Sequence, residues 1–253
     1  MKRSELLDIL RRDYLDDVSV MTDGEPDSLW SPRTLTKHLT EAERIFCRRA
    51  FVLEDETTAA VCTVTPVVAT QDYTLHSSIL RVLSVTPADS DIDLQHASYD
   101  TLRIKPTFDP ETPWGSAYAY TESPGRRLYW STDRGNRKLR IRAVPRAQDV
   151  TDIGTLQLRV LRYPLASLDP TETTPDPTPE IDEEYHLALV DYAAGTVLMN
   201  ANVDSGSRAG VRATAKDYLD KFYGRVREAK VDVARLRRGP PVVRSSRWGK
   251  QED

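Results

Sequence analysis

The sequence has 253 residues, of which 39% are hydrophobic and 29% are charged, enough for one large domain or two small domains with a real core. Its mean hydropathy is −0.51 and no apolar run approaches the roughly 20 residues of a membrane span, so we do not expect a membrane protein. The formal net charge of −4 argues against a general nucleic-acid-binding protein, which carries a basic surface.

The first 56 residues are predicted to form helices, and their start lacks the apolar segment of a secretory signal. Ser4 is predicted to cap a first helix that buries Leu6, Leu7, Leu10 and Tyr14. After a polar loop, Ser31 followed by Pro32 predicts the start of a second helix. That helix is predicted to bury one stripe and expose the opposite face, with Leu35, Leu39, Ala42, Ile45, Phe46 and Arg49 inside and Lys37, Glu41, Glu43, Arg44 and Arg48 outside.

From Thr57 the hydrophobic pattern changes to short β-branched runs bounded by Gly, Pro, Asp and Asn. These runs predict strands over residues 60–65, 72–75, 79–85, 117–121, 127–131, 138–143 and 155–163. The last run alternates, with Leu156, Leu158 and Val160 on one face. Short strands of this kind favour an antiparallel sandwich or barrel-like sheet. No dinucleotide-binding glycine pattern is present, which argues against a Rossmann-type fold.

Five prolines between Pro164 and Pro179 predict an extended connector. The stretch that follows, up to Met199, predicts a helix with Asp182 as its N-cap and with Glu183 and Glu184 in its first turn. This helix is apolar on several faces, which is typical of a helix buried between neighbours. The rest of the chain is expected to supply those neighbours.

The C-terminal part is predicted to contain one more helix and a flexible arm. Ser207 is the predicted cap, and one stripe recurs at steps of three and four through Val211, Ala215, Tyr218, Phe222, Val226, Ala229 and Val233. Gly239-Pro240-Pro241 is predicted to separate a basic tail that has too little apolar content to fold alone.

The predicted fold class is α+β. A helical bundle is built from the N- and C-terminal helices, with an inserted antiparallel β-sandwich or barrel-like module and an extended C-terminal arm. The predicted boundaries are residues 1–56 for the N-terminal helices, 57–165 for the β module, 166–180 for the connector, 181–236 for the C-terminal helices and 237–253 for the arm.

Four segments together resemble the tailed-phage head-to-tail connector proteins, also called adaptor or head-completion proteins. They are LWSPRTLTKHLTEAERIFCRRA, the strands through DYTLHSSILRV, KLRIRAVPRAQD with TLQLRVLRYPLASL, and PEIDEEYHLALVDYAA. Where the family has a glycine before the tyrosine of the first hairpin, this sequence has Gln71-Asp72. The resemblance implies a virion protein of the phage neck, assembled in the host cytoplasm. It implies a ring of twelve copies beneath the portal protein, with the tail or a further neck protein below and genome DNA passing through without sequence-specific contact.

Two groups of residues are expected to carry this role. The first would form the bundle core and ring wall: Leu35, Leu39, Phe46, Tyr185, Leu189, Tyr192, Tyr218 and Phe222. The second would dock the arm on the portal, because Trp and Arg often supply binding hot spots: Arg237, Arg238, Val242, Val243, Arg244, Arg247 and Trp248.

No catalytic, cofactor or metal motif is found, so we expect neither an enzyme nor a bound cofactor. The four histidines have no paired metal spacing, and each is expected to be a surface or hydrogen-bonded residue. Cys47 and Cys62 are expected to be free thiols in a reducing compartment. The alternative function is a β-sandwich module that binds a ligand such as carbohydrate on an aromatic face, for which the candidates are Tyr118, Tyr120, Tyr129 and Trp130. Cross-strand packing explains the same aromatic residues.

Overall fold

A computed structural model of the protein describes residues 1–17, 29–88, 94–97, 128–133, 137–142, 145, 147–168, 176–201 and 208–238. The chain is a mixed helix-and-sheet protein, compatible with the predicted α+β class. It divides into two compact units: the helical unit, Met1–Val52 with Ser167–Asp253, and the β unit, Leu53–Ala166. The predicted strand over 117–121, the Ser207 cap and the tail beyond Arg238 lie outside the described residues.

Four main helices belong to the helical unit, and the predicted start of the second one is confirmed. They are α1 (Arg3–Ile9), which continues as a π-helical turn over Leu10–Tyr14, α2 (Pro32–Ala50), α5 (His186–Asn200), preceded by a 3₁₀ turn over Glu183–Tyr185, and α6 (Arg208–Arg238). At the start of α2 the Ser31 hydroxyl accepts a hydrogen bond from the Thr34 N–H at 3.1 Å, with Pro32 at the first helical position.

The predicted Ser4 cap is wrong. Lys2 is the N-cap of α1, and the Glu5 carboxylate accepts the Lys2 N–H at 2.9 Å, which leaves Ser4 inside the helix. A carboxylate at the third helical position both satisfies this N–H and opposes the positive end of the helix dipole. The Ser4 N–H instead donates to the Asp176 carboxylate at 3.1 Å.

Asp182 occupies the predicted N-cap position, but it does not act as a side-chain cap. Asp182 precedes the 3₁₀ turn, but its side chain accepts no capping hydrogen bond. The Tyr185 N–H bonds to the Asp182 main-chain oxygen at 3.0 Å instead. The first turn is therefore tighter than an α-helix, and α5 begins only at His186.

Within the described residues, the β unit contains two sheets and two short helices. The strands are β1 (Glu54–Asp55), β2 (Thr63–Val64), β3 (Asp72–Thr74), β4 (Ile79–Pro87), β5 (Leu94–His96), β6 (Leu128–Asp133), β7 (Lys138–Arg142) and β8 (Leu156–Arg162), and the helices are α3 (Ala59–Cys62) and α4 (Ala147–Ile153). In one sheet β8 pairs antiparallel with β4 along one edge and with β1 and β2 along the other. The second sheet has the order β3-β7-β6-β5, antiparallel except for the parallel β5–β6 pair.

Residues of both sheets share one hydrophobic core. Leu156, Leu158 and Val160 of β8 are fully buried, as their alternation predicts, and they cluster with Leu139 and Ile141 of β7. The strand predicted over residues 60–65 is wrong in its first half, where α3 forms. The reason is local, because the Asp55 carboxylate accepts the N–H groups of Thr57 and Thr58 at 3.0 Å each and turns the chain into a helix.

Candidate assembly surface of the helical unit

An aromatic cluster joins three elements of the helical unit. The ring of Phe46 in α2 lies 5.2 Å from that of Tyr185 and 6.0 Å from that of Phe222 in α6, measured between centroids. Tyr192 in α5 lies 5.0 Å from Phe222. Tilted and edge-on pairs at these distances stabilise a core beyond the area that they bury. The cluster fixes α2 and α5 against α6.

The residues predicted for the bundle core all fall in the described part of the chain. Leu35, Leu39, Phe46, Leu189 and Phe222 are completely buried, Tyr192 is nearly so, and Tyr185 and Tyr218 are partly exposed. Helix α5 is buried on most sides, as its composition predicts. Of its apolar residues, Leu187 and Met199 are exposed.

Helices α5 and α6 approach each other closely at Gly195. A Cβ atom built on Gly195 would lie 2.7 Å from Leu219 Cγ and 2.9 Å from the Ala215 carbonyl oxygen, shorter than real Cβ contacts. Ala215 is fully buried opposite it. Small residues at facing positions let two helix backbones approach closely, so this contact fixes their separation.

Glu43 and Asp191 are carboxylates of the helical unit that were not predicted to be buried. Glu43 was placed on the exposed face of α2, yet it is 1% exposed and accepts the Glu180 N–H at 2.7 Å. Arg49 was placed in the buried stripe, yet it is exposed, with its guanidinium 4.8 Å from the Tyr223 ring centre. The buried Glu43 carboxylate is tolerated because it accepts a main-chain N–H. This hydrogen bond holds the end of the proline-rich connector on α2.

Asp191 of α5 is the other of these buried carboxylates, at 1% exposure. Burial raises the pKa of Asp191, although Arg225, with Nη1 3.5 Å from its Oδ2, and a hydrogen bond from the Tyr14 hydroxyl act in the opposite direction. Burial and the neighbouring Asp191 raise the pKa of Tyr14 to about 12. This group ties the π-helical turn to α5 and α6.

The chain start lies against the end of the connector. The Arg3 N–H donates to the Pro177 carbonyl at 2.9 Å, and Arg3 Nε lies 3.0 Å from Asp176. The Met1 ammonium pairs with Glu183 at 3.0 Å. The described end of the connector forms neither helix nor strand and is held by α1 and α2.

A basic cleft lies between the C-terminal end of α2 and the middle of α6. Its lining combines four exposed cations, one acid and an aromatic and apolar floor: Arg48, Arg49, Phe51, Asp220, Tyr223, Val226, Arg227 and Lys230. None of the four cations forms an ion pair within the described residues. Such a surface has the chemistry to receive an acidic partner.

The portal-docking residues are only partly described. Arg237 and Arg238 were predicted to open the arm, but both lie in α6, and the Arg237 guanidinium donates to the Phe51 carbonyl at 3.0 Å. The helix continues because no helix breaker occurs before Gly239. Val242, Val243, Arg244, Arg247 and Trp248 lie outside the described residues.

The β unit has a hydrogen-bonded turn over Thr65–Thr70. The Tyr73 hydroxyl accepts the Val67 N–H at 3.1 Å and donates to the Thr70 carbonyl at 2.7 Å, while Ala69, with φ of 63°, donates to the Pro145 carbonyl at 2.9 Å. Val67 and Val68 are exposed at its tip. Strand β3 forms at Tyr73 although Gln71-Asp72 stands where the resemblance led us to expect glycine.

Neither a metal site nor a sugar-binding face is found among the described residues. No group of three or more His, Cys, Asp or Glu there could hold a metal ion. Trp130 is buried, with His96 packed edge-on at 4.5 Å, which supports the packing explanation; Tyr118 and Tyr120 lie outside the described ranges. His186 is buried with Nε2 2.9 Å from the Ile181 carbonyl oxygen. Cys47 and Cys62 are buried, and neither forms a disulfide within the described residues. Within the same ranges, no helix combines the length and apolar character needed to cross a membrane.

Comparison with protein families decides the assignment. A family model described as SU10 adaptor protein matches residues 1–245. The chain belongs to this family. The resemblance to phage head-to-tail adaptors is thereby confirmed, and this member of the family is a structural bacteriophage protein of the virion. A comparison with curated proteins finds no match.

Proposed function

We propose that this member of the SU10 adaptor family assembles into a ring beneath the portal, extends the DNA channel and presents the surface to which the tail attaches. The family match over residues 1–245 is the observation that carries the proposal. Portal and tail are the partners that a phage adaptor implies. Twelve copies would match the symmetry of a twelve-fold portal.

The helical unit is the proposed ring wall. Its aromatic cluster and the close contact at Gly195 support this role, because a wall needs subunits that keep one shape. The predicted core residues, from Leu35 to Phe222, would then act through packing rather than through chemistry. The exposed faces of α2 and α6 remain available for neighbouring subunits.

The C-terminal arm is the proposed portal-docking segment. Each arm would bind modestly because ordering it costs entropy, but a ring presents many copies and multiplies the avidity. Because α6 extends to Arg238, the informative truncation removes residues 239–253 and keeps the Arg237 contact to Phe51. We expect the truncated protein to fold, to remain soluble and to fail to attach to portal-containing heads. Full attachment would overturn the docking role.

Genome DNA is proposed to pass the ring without sequence-specific contact. A sliding channel avoids a dense cationic lining, because each phosphate contact adds affinity and friction, and the net charge of −4 fits this expectation. Duplex binding by the isolated protein should be weak at 150 mM salt. Tight binding that falls steeply with salt would contradict the proposal.

The ring itself is tested by mixing the full chain with purified portal rings. Light scattering and negative-stain images should show adaptor rings stacked coaxially on the portal. A monomer that ignores the portal and binds glycans would instead support the carbohydrate-binding alternative.

A further inference from the structure

The helical unit carries two exposed patches of opposite charge. One is the basic cleft between α2 and α6. The other is the acidic patch, Asp182–Glu184, at the start of α5, where all three carboxylate residues are exposed. No described contact joins the two patches within one chain.

Structure and sequence both favour an acidic protein partner for the basic cleft. Arg48, Arg227 and Lys230 surround a floor formed by Tyr223 and Val226, and Arg49 stacks on the Tyr223 ring. The four cations have no ion-pair partner in the part of the chain that the structure describes. They repel one another, and an anionic partner relieves that repulsion. Nucleic acid fits less well, since an acidic Asp220 and an apolar floor in the cleft disfavour the phosphate backbone.

The chain itself supplies a matching acidic segment. Between Tyr163 and Tyr185 the sequence contains seven acidic residues and no Lys, Arg or His. Four of them are committed to contacts in their own chain or lie outside the described residues. Glu183 pairs with the Met1 ammonium and Glu184 with the Tyr185 hydroxyl, but all three residues of the acidic patch keep exposed side chains for an intermolecular contact.

We propose that the basic cleft of one subunit receives the acidic patch of the next copy of this chain. The inference rests on the proposed ring. Two different complementary surfaces on one subunit form a heterologous contact, and such a contact repeats head-to-tail until the ring closes. Charge pairs at an interface rim contribute mainly to register and to partner choice, and a ring repeats the contact in every copy.

The test uses charge reversals on the full chain. Arg227→Glu with Lys230→Glu reverses the cleft, and Asp182→Lys with Glu184→Lys reverses the acidic patch. Each pair places like charges at every interface and should raise the concentration for half-maximal ring formation about tenfold or more. The chain that carries all four substitutions restores opposite charges and should regain most of the assembly. The matched control is Arg33→Glu with Lys37→Glu, two exposed cations of α2 outside the cleft.

Circular dichroism of each variant ensures that a loss of assembly is not a loss of folding. Normal assembly by both reversed pairs, or no recovery in the fourfold variant while both pairs remain folded, would overturn the inference. Duplex binding that the cleft reversal abolishes, with assembly unchanged, would assign the cleft to nucleic acid. If the unmodified chain forms no ring, alone or with the portal, the proposed function fails first.

Discussion

The substitution Gly195→Ala tests the close packing of α5 on α6. Alanine in a helix interior is favoured over glycine by about 1 kcal/mol, so the change would stabilise an exposed helix. At Gly195 the new Cβ would lie 2.7 Å from Leu219 Cγ and 2.9 Å from the Ala215 carbonyl oxygen. A backbone atom cannot rotate away, so the helices must separate, and overpacking of this kind costs about 1–3 kcal/mol. The net effect is loss of stability.

Gly224 of α6 supplies the matched control, because a Cβ built there meets nothing within 4 Å. Gly224→Ala should therefore stabilise the protein by about 0.5–1 kcal/mol. Urea unfolding followed by the helical circular dichroism signal measures both variants, and their free energies of unfolding should differ by about 1–3 kcal/mol. Equal stabilisation by the two substitutions would refute the close approach of α5 and α6.

Four further substitutions test other parts of the fold. Leu189→Asp places an unpaired charge in a fully buried position, at a cost comparable to total stability, so no cooperative unfolding transition of the helical unit should remain. Arg225→Ala should destabilise the protein at neutral pH because it leaves buried Asp191 unpaired, whereas Asp191→Asn should be tolerated; the reverse order in thermal unfolding would contradict this. Burial opposes ionisation of Asp55, yet hydrogen bonds from Thr58, Thr57 and Arg162 lower its pKa. Its stabilisation is therefore present above the ordinary carboxyl pKa and lost as pH falls, and Asp55→Asn should cost about 3 kcal/mol at pH 7 and remove that pH dependence.

The start of α2, the buried side of α6 and the burial of α5 were predicted correctly from local sequence signals. Ser31 with Pro32 marks the start of α2, and the stripe from Val211 to Val233 marks the buried side of α6. The uniform apolar character of α5 also predicted its burial. These features depend on hydrogen bonds within one turn or on a hydrophobic period, both of which are readable without knowledge of distant neighbours.

Features set by contacts that a hydrophobic pattern does not record could not be predicted. Glu43 looks like a surface residue of an amphipathic helix, and only the Glu180 N–H, 137 positions away, explains its burial. The Asp55 carboxylate accepts the Thr57 and Thr58 N–H groups and turns the chain just before the helix at residues 59–62, which no hydrophobic pattern records. The basic cleft combines residues of α2 and α6, so neither segment alone reveals it.

Images of the purified full chain mixed with portal rings test the central proposal most directly. Class averages from electron microscopy give the copy number and the position of each ring. The proposed function predicts a closed adaptor ring stacked on the portal, with an open axial channel. A well-folded protein that stays monomeric at high concentration and leaves the portal rings bare would contradict it.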